Sequence, residues 1–431
     1  MKRLAFFAAI AALMTACSSC WKAETKEPEV PEDMIPENGN NDGNPEDNPR
    51  KELSLTTRSQ ELVRQSSTFA FNFLSRVNAF AEGDFILSPL SMQFLLGMLL
   101  NGAQGPTADE ICQVLGYGAG EVEAVNEFAL SMMEQLPSLD QSTALRIANS
   151  IWVNEATPLR DGYRKTVSDS FDAEVANRDM KDPATLLAIN QWASDHTNGL
   201  IPKVLDELDP RTAAILMNAL YFKSQWTHPF DKERTAKQTF YKENGKTEEI
   251  DMMRISARFV MDQKSESFRA IRLPYGNEAF SLLVFLPVEG KTLADVIGEL
   301  SRRDWTSYLQ SLTSSCQVNL WLPKFRTKSH FTLNGILSDM GMPLAFSDFA
   351  DFTALSDKAL SLSAILQDAV IIVDEEGTEA AAVSTGIAVT TALPPDPIVF
   401  RADHPFLYLI TEASTGAILF AGSFRGTAID Q

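Results

Sequence analysis

The chain of 431 residues is poor in the groups that catalysis and metal binding draw on, with only four histidines and four cysteines. His196, His228, His330 and His404 stand apart, with no HExxH, HxH or grouped Cys/His spacing, so no zinc-type ligand set is offered. Cys17, Cys20, Cys112 and Cys316 suggest no disulfide framework. No GxSxG, SxxK or Walker-type glycine loop is present. Positive charge is in deficit too. Lys and Arg number 37 against 57 Asp and Glu, a net charge of −20, which disfavours a nucleic-acid or anionic-lipid face. These absences point to a protein that is not an enzyme and carries no cofactor or metal.

What is present begins with an address. Lys2 and Arg3 precede the apolar stretch Leu4 to Leu13, which has signal-peptide length and is too short to span a bilayer as a mature helix. Met14-Thr15-Ala16-Cys17 resembles a bacterial lipobox, with Met where Leu is commoner. By that resemblance residues 1–16 are cleaved off and Cys17 is lipidated, with a plain secretory signal as the alternative. Ser18, rather than Asp, follows the cysteine, which favours the outer membrane, facing the periplasm or the exterior. Residues 22–50 hold nine acids against three bases and almost no large apolar side chains. Such a segment cannot bury enough surface to fold. Residues 17–52 are therefore expected to form a lipidated, acidic, disordered tether, able to reach on the order of 100 Å, and residues 53–431 one folded domain.

The folded part has an ordinary hydrophobic fraction for a globular protein, 45% over the whole chain. Apolar residues at helical spacing predict a helix over Ser59 to Phe80 and a buried one over Ser91 to Leu100. Strand-like runs follow at Ala214–Phe222, Ser281–Leu286, Val318–Leu322, Ala369–Val373, Phe406–Ile410 and Ala417–Phe420. Helices first and strands after imply an α+β domain with large mixed sheets. Cys112 and Cys316 are expected as buried free thiols.

The most informative stretch runs from Glu375 to Gly386. Read as a strand, one parity is Thr378, Ala380, Ala382, Ser384 and Gly386, all small and uncharged. No proline occurs from Gly377 to Leu393, so every backbone N–H there is free to join a sheet. Pro394, Pro395 and Pro397 close the run. A segment with one slim face can slide between packed layers, which suggests a movable part. A flexible surface loop is the plainer alternative.

Phe400-Arg401-Ala402-Asp403-His404-Pro405-Phe406-Leu407-Tyr408-Leu409-Ile410 resembles the C-terminal signature of the serpin family, and Glu375-Glu376-Gly377-Thr378-Glu379-Ala380-Ala381-Ala382 resembles the hinge of its protease-inhibiting members. Phe85 to Ser91, Asn101 to Thr107, Asn149 to Trp152, Leu216 to Lys223 and Leu322 to Phe325 look like serpin blocks in the family's order. The resemblance implies one domain of three β-sheets and eight or nine helices with an exposed reactive-centre loop. It implies a suicide inhibitor of serine proteases, with cysteine proteases as a further target class. The protease cuts the loop, the loop inserts into the main sheet, and the acyl-enzyme is trapped. About ten new hydrogen bonds at roughly 1 kcal/mol net each would drive that step.

The same resemblance assigns residues. The scissile bond falls at Thr391-Ala392, with Thr390-Thr391 and Ala392-Leu393 as neighbours in register. Small residues there suit an elastase-like target. Ser88, Ser91 and Asn218 match the polar residues where the sheet must open, and Gln367 stands where the family usually has His, which implies an altered pH response. Lys324 and Glu375 match the ion pair at the hinge. Asp403-His404 lies within the family signature and is read as structural. The chain is expected to be a monomer that binds its target protease, a membrane through Cys17, and no nucleic acid. A non-inhibitory serpin and a surface ligand-binding lipoprotein are the alternatives.

Overall fold

The computed structural model describes residues 48–378 and 396–427. The first half of the domain carries α1 (Thr57–Phe80), β1 (Phe85–Leu87), α2 (Pro89–Gly102), α3 (Gly105–Leu115), α4 (Val122–Gln135), β2 (Ala144–Asn154), α5 (Asp161–Phe171), β3 (Ala173–Arg178), α6 (Pro183–His196) and β4 (Ala214–Gln225). The second half carries β5 (Ala236–Tyr241), β6 (Thr247–Asp262), β7 (Phe268–Tyr275), β8 (Phe280–Pro287), α7 (Leu293–Ser301), α8 (Trp305–Ser311), β9 (Ser315–Pro323), β10 (Phe325–Thr332), α9 (Asn334–Met340), β11 (Ala364–Val373), β12 (Gly377–Thr378), β13 (Ile398–Arg401), β14 (Phe406–Glu412) and β15 (Ile418–Phe424). Nine α-helices thus stand among the described residues. Helices and strands are more interleaved than composition suggests, because β1, β2 and β3 fall among the early helices. Described residues within the stretch whose composition reads as tether already touch the domain: Asn48 Nδ2 donates to Asp140 Oδ1 at 2.7 Å and Lys51 Nζ to Ser138 O at 3.1 Å.

The sheet that matters for function runs β10-β11-β4-β2-β3, with β12 added to β4. The other runs β1-β15-β14-β8-β7-β6-β9-β13, with β5 on β6. It narrows at one place. β6 meets β7 only through Val260–Arg272, Met261–Ile271 and Asp262–Ala270, having spent its earlier residues on β5 and β9. That junction divides the larger sheet in two, and with the β10–β3 sheet these make the three sheets that the resemblance implies.

Side-chain alternation gives the β10–β3 sheet two buried faces. Leu216, Leu220 and Phe222 of β4 with Ile365, Ala369 and Ile371 of β11 join the main core, beside α2. Ile215, Met217 and Ala219 with Leu366 and Val370 face a second core under α6, where Ile189, Trp192 and Ala193 cover them. β4 and β11 are therefore near-continuous apolar runs, as parallel strands with both faces covered are. α2 is buried almost all round, which matches its apolar sequence. Of the two thiols described, Cys112 is buried and Cys316, the second residue of β9, only half-buried; neither is paired.

Candidate functional site: a seam in the main sheet and the hinge beside it

β11 and β4 run parallel and pair from Ala364–Ile215 to Ala369–Leu220. There the ladder between them stops. β11 continues to Val373, held by β10 through Phe325–Val373, and β4 continues to Gln225, held by β2 as far as Lys223. The two strands part toward the end from which the chain turns out of β11. That turn is built by Asp374, whose N–H donates to Gly377 O at 2.9 Å and whose Oδ1 accepts from the N–H of Glu376 at 3.0 Å. Gly377 and Thr378 then pair antiparallel to β4, opposite Gln225 and Ser224. The hinge thus begins a new strand at the mouth of the seam.

Gly377 is required by contact as well as by torsion. Its φ is +144°, and a Cβ there would lie 2.2 Å from Ser224 O and 2.7 Å from Gln225 Cα. Around it the hinge is fastened at several points. Phe230 N–H donates to Glu375 O at 2.7 Å and Trp226 N–H to Glu376 O at 2.9 Å. Trp226 Nε1 donates to Asp374 O at 2.8 Å, while its ring stacks on Tyr275 with centroids 4.4 Å apart. Lys232 pairs with Glu376.

Glu375 is buried, and Lys324 Nζ donates to its Oε2 at 2.9 Å while Thr235 Oγ1 donates to Oε1 at 2.8 Å. Burial pushes its carboxyl up, but the hydrogen bonds from Lys324 and Thr235 outweigh this and hold it below the usual Glu value. Of the other hinge positions, Thr378 is described by its backbone alone; Glu379, Ala380, Ala381 and Ala382 lie outside the described residues, as do Thr391, Ala392 and Cys17.

The four sheet-opening positions are all buried. Ser88 caps α2, its Oγ accepting from Ser91 N–H at 3.2 Å and donating to Leu419 O at 2.6 Å. Gln367, on β11, grips the Ser88 backbone from both sides: Nε2 donates to Ser88 O and Ser88 N–H donates to Oε1, each at 2.9 Å. An uncharged amide thus ties β11 to the start of α2. Asn218 sits opposite Gln367 in the β4–β11 ladder but turns toward β2, donating to Ala148 O at 3.0 Å and Asn149 Oδ1 at 2.9 Å. Ser91 Oγ and Asn218 Oδ1 are buried without a hydrogen-bond partner. Each such group costs about 1–3 kcal/mol. The seam is closed at its narrowest point by an arrangement that leaves polar capacity unused.

A relay that sequence reasoning missed runs to the same place. Asp140 Oδ1 accepts from Asn48, its Oδ2 accepts from Thr143 Oγ1 at 2.9 Å, and Thr143 Oγ1 lies 2.7 Å from Ser224 Oγ, beside the hinge strand. Gly276 closes over Asp140 with φ +45°, and a Cβ there would lie 2.0 Å from Asp140 Oδ2. His404 is committed elsewhere. Nδ1 lies 3.1 Å from Asp403 Oδ1 and Nε2 3.0 Å from Pro287 O, so both ring nitrogens face acceptors. Burial lowers its pKa, the bonds to Asp403 and Pro287 raise it, and the net direction is up.

A family model described as serpin (serine protease inhibitor) matches residues 64–426. The chain belongs to the serpin family. Among its relatives, Iripin-2 of Ixodes ricinus is 31% identical over 375 residues, covering 84% of this chain and 92% of that one. A protein named serine protease inhibitor from Cyanea capillata is 33% identical over 373 residues, covering 84% and 98%. Among solved structures, the thermophilic serpin tengpin in its native state matches this serpin with a TM-score of 0.78 at 25% identity, covering 88% of this chain and 96% of the other. Proteins of this family typically act on proteases as inhibitors.

Proposed function

We propose that this serpin is inhibitory and traps its target by inserting the cleaved loop between β4 and β11. One observation carries the reading: β12 already occupies the mouth of the seam in an antiparallel register that can be continued. Continuing it would set Ala380, Ala382, Ser384 and Gly386 opposite Phe222, Leu220, Asn218 and Leu216. Those β4 residues face the main core, so the slim parity would lie against α2 and the bulkier parity under α6. Ser384 would come beside Asn218, whose Oδ1 lacks a donor. Insertion past Ala381 would have to unzip the Leu220–Ala369 end of the ladder.

In the chemical step, the protease's serine oxygen adds to the Thr391 carbonyl. The bond to the Ala392 nitrogen breaks, and the amine leaves as a new N-terminus, taking up the proton from the serine. Thr391 stays esterified. Insertion of the hinge then carries the ester away from its catalytic partners, where a small misplacement is enough to stall hydrolysis. Thr391 and Ala392 suit a shallow apolar primary pocket, so the target is elastase-like. The resemblance of Met14-Thr15-Ala16-Cys17 to a lipobox supports a lipid anchor on Cys17 in the outer membrane, and partition of a Cys17→Ser chain from the detergent phase into the aqueous phase tests that anchor.

The test of the trap is incubation with an elastase-type serine protease. The expected result is a denaturant-stable complex with a released C-terminal peptide whose mass gives the cut bond, and a nicked form that melts about 10–20 °C higher, from roughly ten added hydrogen bonds in a domain of this size. Cleavage with no stable complex and an unchanged melting point would sink the reading.

A further inference from the structure

The face of the smaller half-sheet formed by β6, β9 and β13 carries an arginine ladder that neither the fold nor the hinge explains. Arg254 on β6 and Arg401 on β13 are both in register with Trp321 on β9, from opposite sides. Their guanidinium carbons lie 4.8 and 5.4 Å from the Trp321 ring centroid. The indole is thus flanked by two planar cations across three strands, an arrangement that holds each fork in place. Arg258 is two steps along β6 on the same side, beyond Ser256, its Nη2 donating to Ser315 O at 3.0 Å and Ser315 Oγ at 3.1 Å. Val399 stands opposite Asn319 and is 63% exposed. Beneath them Leu320, Leu322 and Phe400 are buried, so the sheet holds the face rigidly.

The local charges do not cancel. Arg401 is shared between Asp403 Oδ2, at 3.0 Å, and Gln238, and the nearby Asp251 is taken by Lys237. Arg254 and Arg258 have no carboxylate partner among the described residues. Exposed, uncompensated arginines on one rigid face are out of keeping with a chain of net charge −20. Their position is specific as well. β13 begins at Ile398, six residues after Ala392, and six residues span at most about 20 Å. A protease seated on the Thr391-Ala392 bond cannot be far from this face.

We propose that the Arg254–Trp321–Arg401 ladder with Arg258 is a docking surface for a carboxylate-rich patch that the target protease carries beside its substrate cleft. The proposal rests on the inhibitory reading for the identity of the partner, and it narrows that partner to an elastase-type protease with an acidic rim. Forks of this kind, two of them (Arg254 and Arg258) without a carboxylate partner among the described residues, act mainly on the rate of encounter, through steering, and on orientation.

The experiment uses the full chain with two elastase-type serine proteases, one of acidic and one of basic isoelectric point. Loop cleavage and formation of the denaturant-stable complex are timed separately at low and high salt. The expected result is faster loop cleavage by the acidic protease, slowed about tenfold by Arg254→Glu with Arg258→Glu at low salt, the difference closing at about 1 M salt. The basic protease should gain from the same reversal, and Arg254→Lys with Arg258→Lys should keep most of the rate. Equal melting points of the variants show that folding is not at issue. Unchanged cleavage rates with both proteases would overturn the proposal, as would loss of retention on a heparin column with rates untouched, which would make the face a polyanion site. Because cleavage is read apart from trapping, absence of a stable complex would defeat the inhibitory reading while the cleavage rates still decide this one.

Discussion

The two halves of the seam between β4 and β11 are built from the same strands and behave as opposites. In one half, six residue pairs join Ala364–Ala369 to Ile215–Leu220, and cores press on both faces. In the other the strands part, and a third segment, β12, has begun to take the place of the missing ladder. Polarity alone does not separate the halves, since the closed half carries Gln367, Asp368 and Asn218 among its apolar residues and the parted half Lys223, Ser224 and Gln225. What separates them is what lies beyond: the closed half is pinned to α2 by Gln367, while the parted half leads into a glycine whose backbone presses against Ser224. Two strands can thus share a sheet and a core while only one end of their contact is committed.

The most damaging way to break this comparison is to make the closed half permanent. Leu216→Cys with Ile365→Cys joins register partners inside it. Once oxidised, the variant should still be cut in its loop but give less than about a tenth of the stable complex, with reductant restoring it; a disulfide here would resist unzipping by a few kcal/mol or more. Complex yield on gels with and without reductant checks this. A smaller effect is expected at the mouth. Gly377→Ala places a Cβ against backbone that cannot give way and puts Ala in a conformation costing about 1–3 kcal/mol. β12 should leave β4, faster amide exchange should appear at Ser224 and Trp226, and more serpin should be consumed per protease trapped.

The smallest effect sharpens the comparison through pH. Glu375 has a lowered folded pKa, so its contribution to stability is present in full above its ordinary value of 4.5 and is lost as pH falls through the lower folded value. Glu375→Gln should cost about 1–2 kcal/mol at neutral pH, discounted because Lys324 is a third exposed. The gap to the wild type should close below pH 4 in melting-point measurements. Gln367 does not titrate, so its tie to Ser88 should show no matching transition; the titrating pair of the closed half is His330 with Asp368, whose bond raises the imidazole pKa, so its contribution is present at low pH and is lost as pH rises through the folded value.

Much of this was legible from the chain. The blocks around Ser88 and Asn218 and the lone Lys324 before Phe325 are local patterns, and local patterns survive in sequence, while the slim parity of the hinge beyond Thr378 lies outside the described residues. Strand ends and the early strands were harder, because β2 and β3 sit among helices and owe their state to pairing partners far along the chain. Least legible were the long-range supports. Thr235 lies 140 residues from Glu375, Trp226 is 148 from Asp374, and Thr143 is 81 from Ser224. A threonine at such a distance carries no mark of its partner, since its role is created by the fold. The arginine ladder shows the same limit: three residues on three strands become one surface only when the register is known.

Asn48 is fastened to Asp140, Asp140 to Thr143, and Thr143 to Ser224, the residue against which the hinge starts its strand. A pull on the chain ahead of Asn48 is shared, since Gln141 and Asn277 also hold Asn48 and Lys51, Leu53 and Ser54 are fastened to Ser138, Ser414 and Gln135 just after it. One branch of that load path, three side-chain links long, ends at Ser224, so the leading end of the described chain is mechanically connected to the place where the hinge begins its strand.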